Sequence, residues 1–152
     1  MSEFRLQTVL RVRKQREDQA QQYLAQARRW QQQLHSQIDA EKGRLATLHS
    51  DMQQLQTEGM DPQTLQLFEQ CIQSSRQCHH DLVQDLTNAE HTISQRQEEL
   101  FAACREKKVV EKLQDRHEER RQEALRQAEN VLMDEIASGT VARKMGFSGG
   151  SR

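Results

Sequence analysis

LQTVLRVRKQREDQAQQYLAQARRWQQQLHSQIDAEKGRLATLHSDMQQL, residues 6–55, holds one unbroken ladder. Stepping alternately four and three residues from Leu6 gives Leu10, Arg13, Glu17, Ala20, Leu24, Ala27, Gln31, Leu34, Ile38, Glu41, Leu45, Leu48, Met52 and Leu55. A step averaging ~3.5 residues keeps a seam turned toward a partner while two helices supercoil left-handedly. Most rungs are apolar, and the residues between them are mostly Gln, Arg, Glu, Lys and Asp. A helix with so narrow an apolar stripe cannot bury itself alone. The fold therefore depends on where its partner comes from.

The partner lies further along the same chain. Helix one is expected over about 4–56, starting near Ser2 or Phe4, with Gly43 as a tolerated weak spot off the ladder. The break is Thr57-Glu58-Gly59-Met60-Asp61-Pro62. Gly59 suits the position just past a helix end, Asp61 is a favoured N-cap, and Pro62 suits a first helical residue. Thr64 stands where a capping box would want Glu or Gln. Helix two then continues the step through Leu65, Phe68, Ile72, Ser75, His79, Leu82, Leu86, Ala89, Ile93, Arg96, Leu100, Ala103, Lys107 and Val110. Leu113 follows three residues on where four was due, which predicts a slip of phase. Beyond it, Asp115 to Arg121 is charged on all sides and the apolar set thins to Ala124, Leu125, Ala128, Val131, Leu132 and Ile136.

So short a turn sets the helices side by side and antiparallel. The expected fold is all-α: a long antiparallel two-helix coiled-coil hairpin over 1–137, with turn 57–61 and helix two over 62–137. Gly139 is read as a stop, and 138–152 as a flexible tail carrying Arg143, Lys144 and Arg152. Folding about Met60 puts Leu55 near Leu65 and Leu6 near Leu113. Helix two then overhangs by roughly twenty residues at the open end. Polar rungs at Arg13, Glu17, Gln31 and Glu41 lower stability while fixing register, so a moderately stable hairpin is expected.

Composition points the same way. The chain of 152 residues is 34% hydrophobic and 30% charged, with a mean hydropathy of -0.99. Compact domains use closer to ~45–50% apolar residues. One Pro, little Gly before the C-terminus and many strong helix formers argue against disorder. A net charge of -1 offers no basic stripe for nucleic acid. No apolar run approaches the ~20 residues of a membrane span, and the N-terminus has no signal-peptide core, so a cytoplasmic chain without membrane insertion is expected. Cys71, Cys78 and Cys104 lack a disulfide-framework spacing and fit a reducing compartment.

No catalytic constellation survives, because a two-helix hairpin offers no concavity in which to desolvate one. Neither a metal nor a cofactor is expected. Adjacent residues in Cys78-His79-His80 point in different directions, whereas helical ligands share a face at i, i+3 or i+4. The stripe Phe68, Ile72, Ser75, His79 has two readings. As seam, it packs on Leu45, Leu48 and Met52, the default for such spacing. Otherwise the seam rotates, and the neighbouring stripe Leu67, Cys71, Ser74, Cys78 faces helix one. One partner cannot cover both stripes, so apolar surface near the turn should remain exposed as a partner site. Two basic runs fall at the open end, Arg11, Arg13, Lys14 and Arg16 on helix one and Arg116, Arg120 and Arg121 on helix two. A solvated face explains such runs, and so does a basic base that enters an acidic cavity.

Phe4-x-Leu6-x-x-Val9-Leu10-x-x-Arg13 with Glu17 resembles the opening of the FliJ family of flagellar type III export proteins. The run Arg105-Glu106-Lys107-Lys108-Val109-Val110-Glu111-Lys112-Leu113, with Glu129 and Asp134-Glu135-Ile136-Ala137, is similar to that family's C-terminal half. The likeness covers nearly the whole chain. It implies a cytoplasmic stalk, similar to the central stalk of rotary ATPases, whose base enters the export ATPase ring. It also implies engagement of the membrane export gate and handling of empty export chaperones. In that family a Phe-x3-Leu-x2-Ala-x3-His pattern on helix two is associated with gate binding. Phe68, Ile72, Ser75 and His79 keep its spacing and depart from it at Ile72 and Ser75.

The expectation is a non-enzymatic stalk and escort, monomeric on its own, peripheral to the inner membrane at the flagellar base. Its expected partners are the export ATPase hexamer, the export gate protein and export chaperones. Rival readings are the equivalent stalk of a virulence injectisome and a plain coiled-coil spacer or dimer. A prefoldin-like chaperone would need β-hairpins at the helix tips, and no alternating strand pattern occurs.

Overall fold

A computed structural model describes residues 3–148 and contains two elements, α1 (Glu3–Glu58) and α2 (Pro62–Ser148). The turn forms as its residues dictate. Gly59 takes a φ of 94°, the left-handed conformation that ends a helix at no steric cost to glycine. Two residues on, the Asp61 carbonyl accepts the Leu65 N–H at 3.1 Å, the bond expected of an N-cap residue before Pro62.

Helix ends depart from expectation mainly at the C-terminal side. The ends of α1 and the start of α2 differ from the expected limits by no more than helix assignment itself varies. α2, however, runs through Gly139 to Ser148, so residues 138–148 are helical where a tail was expected. A glycine inside a helix costs only ~1 kcal/mol, and no proline follows to enforce a stop. Ser2 and residues 149–152 lie outside the described residues.

Two compact units make up the chain, Gln15–Arg105 and Met1–Lys14 with Glu106–Arg152. The division falls among the polar rungs Arg13, Glu17 and Lys107, where the apolar seam is interrupted.

In Gln15–Arg105 the helices run antiparallel: Glu41 meets Ser75 and Tyr23 meets Arg96. Every rung of both ladders within this unit is buried or half-buried. Ala20, Leu24, Ala27, Leu34, Ile38, Ile72 and Ala89 form its core, with Ala89 wholly enclosed. Small alanines beside leucines let the backbones approach, and each buried Leu or Ile contributes roughly 1.5–3 kcal/mol. The Arg96 guanidinium lies 4.7 Å from the Tyr23 ring centroid and covers the edge of the seam.

In the other unit Arg13 pairs with Glu106 and Glu3 with Arg121, again antiparallel. Its seam is thinner: Val110 is buried, and Leu6, Leu10, Arg13 and Lys107 are half-buried. The expected slip at Leu113 does not occur. The four-three step continues through half-buried Gln114 and His117, leaving Leu113 48% exposed. Register is set by the continuous helix, so polar residues hold the last rungs and the leucine is turned outward. From Glu119 to Thr140 every α2 residue is exposed.

Candidate partner-binding surfaces

The stripe Phe68, Ile72, Ser75, His79 is part of the seam. Ile72 and Ser75 are buried, and Phe68 and His79 are half-buried. Ser75 donates its hydroxyl to the Glu41 carboxylate at 2.5 Å, so two polar rungs of opposite helices satisfy each other. A buried hydroxyl without such a partner would cost ~1–3 kcal/mol. The rotated alternative does not hold: Leu67, Cys71, Ser74 and Cys78 do not face α1. Leu67 is 61% exposed, Cys71 and Cys78 stand in solvent, and these residues form the exposed, weakly apolar strip beside the seam. On the other flank an open groove is lined by His49, Met52, Glu69, Gln73 and Arg76. Half-buried His49 is an off-ladder residue of α1 that closes this side.

The basic residues at the open end do not share one role. Arg13 donates to Glu106 at 2.6 Å, and Arg121 pairs with Glu118 at 3.0 Å and Glu3 at 3.7 Å. These two join α1 to α2. Arg11, Lys14, Arg116 and Arg120 are exposed in the same unit, whereas Arg16 falls in the unit Gln15–Arg105. Three cysteines are free thiols, and among the described residues no group of three His, Cys, Asp or Glu could hold a metal. No described helix is long and apolar enough to cross a membrane.

Residues 1–146 match the family described as Flagellar FliJ protein. The chain belongs to the FliJ family. No curated protein and no solved structure matches it. FliJ membership makes the chain a structural component of flagellar type III export, in keeping with the two-helix fold.

Two surfaces of this FliJ chain escape the ladder reading. In the unit at the open end, Val9 and Val12 of α1 are each 42% exposed, and Val109 and Leu113 of α2 are also exposed. The Arg13–Glu106 pair fixes their side. Val9 lies one turn before Arg13; Val109 and Leu113 lie one and two turns beyond Glu106, on the same flank. The second surface is the exposed stretch of α2, where Leu125, Leu132 and Ile136 share a stripe with Ala128. Paired apolar letters such as Val9-Leu10 and Val109-Val110 carry the first signal, since only one of each pair can enter a narrow seam.

Proposed function

We propose that this FliJ-family chain is a non-enzymatic stalk of the flagellar export apparatus. It links the export ATPase hexamer to the membrane export gate and escorts export chaperones, in the cytoplasm beside the inner membrane. The observation that carries the reading is the stretch Glu119 to Thr140, a helix with no covering element among the described residues and with aliphatic side chains left in water. Such a face is a partner site by default. Exposed Arg11, Lys14, Arg116 and Arg120 supply charge for an acidic ring lining, while Arg13 and Arg121 keep the two helices together beneath them. For the gate, the half-buried edges of Phe68 and His79, together with exposed Leu67, offer contact area, and Ile72 and Ser75 support them from within the seam. The match to a flagellar family over residues 1–146 supports the flagellar reading over the injectisome and spacer alternatives.

Deleting Asp115 onward tests the ring arm. The shortened chain should keep its helical signal and lose stimulation of the export ATPase; full stimulation by it would overturn the role of the base. Phe68→Ala and His79→Ala test the gate arm. Weakened capture of the gate protein at unchanged thermal stability supports contact, whereas unchanged capture with lowered stability returns both residues to packing alone. Motile cells lacking the gene would sink the flagellar assignment.

A further inference from the structure

The unit at the open end contains both halves of a complementary contact that cannot close within one chain. One half is the hairpin flank bearing Val9, Val109 and Leu113, all exposed, bordered on α2 by exposed Lys112 and Arg116. The opposite border of that seam is charged, with Lys14 on α1 and Glu111 and Glu118 on α2, so the apolar residues favour one side. The other half is the stripe Leu125, Leu132, Ile136 on the exposed stretch of α2. At 100° per residue, Glu129 and Glu135 border that stripe on its two sides. The apolar flank edged by Lys112 and Arg116 and the apolar stripe edged by Glu129 are complementary in apolar character and, at that edge, in charge. Val109, Leu113 and the stripe lie on one continuous helix, which cannot fold back on itself without a break, and α2 contains none.

We propose that two copies of this chain associate antiparallel, each laying its exposed α2 stripe on the Val9–Val109–Leu113 flank of the other. The register follows from the sequence. Opposing Leu132 to Val109 of the other copy sets Glu129 opposite Lys112, and the two α2 helices cross near Arg120–Arg121. The relation is a two-fold, so every contact occurs twice and the interface closes on itself without forming fibres. At each end the stripe becomes the third helix beside α1 and α2. Each contact rests on a few aliphatic side chains that are only half-exposed in the single chain, so the dimer forms at high concentration and dissociates on dilution. It occupies the same α2 stretch as the proposed ring contact, so dimer and ring-bound chain exclude each other.

Sedimentation of the full-length chain from low micromolar to submillimolar concentration is the first test. Mass should rise from that of a 17.8 kDa monomer toward twice that value, with the midpoint moving to higher concentration as salt is added. Leu132→Glu and Val109→Glu alter exposed positions, so helicity by circular dichroism should hold while each weakens association roughly tenfold or more. Lys112→Glu should weaken it as well, and adding Glu129→Lys to the same chain should restore it. A cross-link fixes the pairing: with Cys71, Cys78 and Cys104 replaced by Ser, a Val109→Cys chain mixed with a Leu132→Cys chain should give the mixed disulfide dimer. A monomer at all concentrations, a dimer indifferent to these substitutions, or homodimeric cross-links alone would overturn the proposal. None of these results depends on the export ATPase, so they stand apart from the ring assignment.

Discussion

Ser75 and Glu41 are polar rungs on an otherwise aliphatic seam, and their hydrogen bond makes them one feature rather than two defects. Ser75→Ala removes the donor and leaves a half-buried carboxylate with one partner fewer. Stability by urea unfolding should fall by ~1–2 kcal/mol. Replacing both ends removes the cost of desolvating a charge, so Glu41→Leu with Ser75→Ala should be at least as stable as the original chain. A double variant no better than Ser75→Ala would refute the pairing. Both residues were legible in the sequence as seam positions. Their partnership was not, because folding about Met60 levels Glu41 with His79. The carboxylate reaches back one turn to Ser75, a side-chain choice that a ladder of positions does not contain. Leu113 illustrates the converse: hydrophobicity suggested a rung, but helical phase gave that place to Gln114.

Two glycines with the same letter act differently at the scale of the helix. Gly59 sits at a positive φ, so Gly59→Ala strains the turn and should cost ~1 kcal/mol or more, read as a lower melting temperature. Gly139 lies inside α2 with open space where a Cβ would stand. Gly139→Ala should therefore stabilise that stretch by ~0.5–1 kcal/mol, seen as slower amide exchange between residues 135 and 143. Faster exchange there would mean that the helix does end at the glycine. Context in the sequence separates them: Asp61-Pro62 enforces a restart after Gly59, whereas Thr140 and the residues after it offer no cap and no proline. The ladders of both helices were readable for a related reason. Seam burial follows from period alone, while helix ends follow from backbone dihedrals that composition only biases.

Across the molecule, stability is divided as unevenly as the buried side chains. In Gln15–Arg105, Leu24, Leu34, Ile38 and Ile72 are each at least nine-tenths buried, and together they outweigh any plausible sum of surface pairs. In the unit at the open end the buried aliphatic residue among those described is Val110, helped by Arg13–Glu106 and Glu3–Arg121. These pairs are roughly a third to a half exposed, which limits each to ~0–1 kcal/mol and makes it sensitive to salt. Hydrogen exchange should therefore find the greatest protection at residues 24–38 and 72–89. Residues 6–13 and 107–117 should exchange through smaller openings, at rates that rise in ~1 M salt while the first set stays unchanged. Equal protection in both sets would mean that the open end is held by something other than this thin seam. A base that opens at low cost can reshape its helices against a partner, while the apolar seam of Gln15–Arg105 keeps its register. If salt loosens the open end as these magnitudes require, it should also weaken any partner that needs that end closed, and binding measured across the same salt series should fall in step with protection.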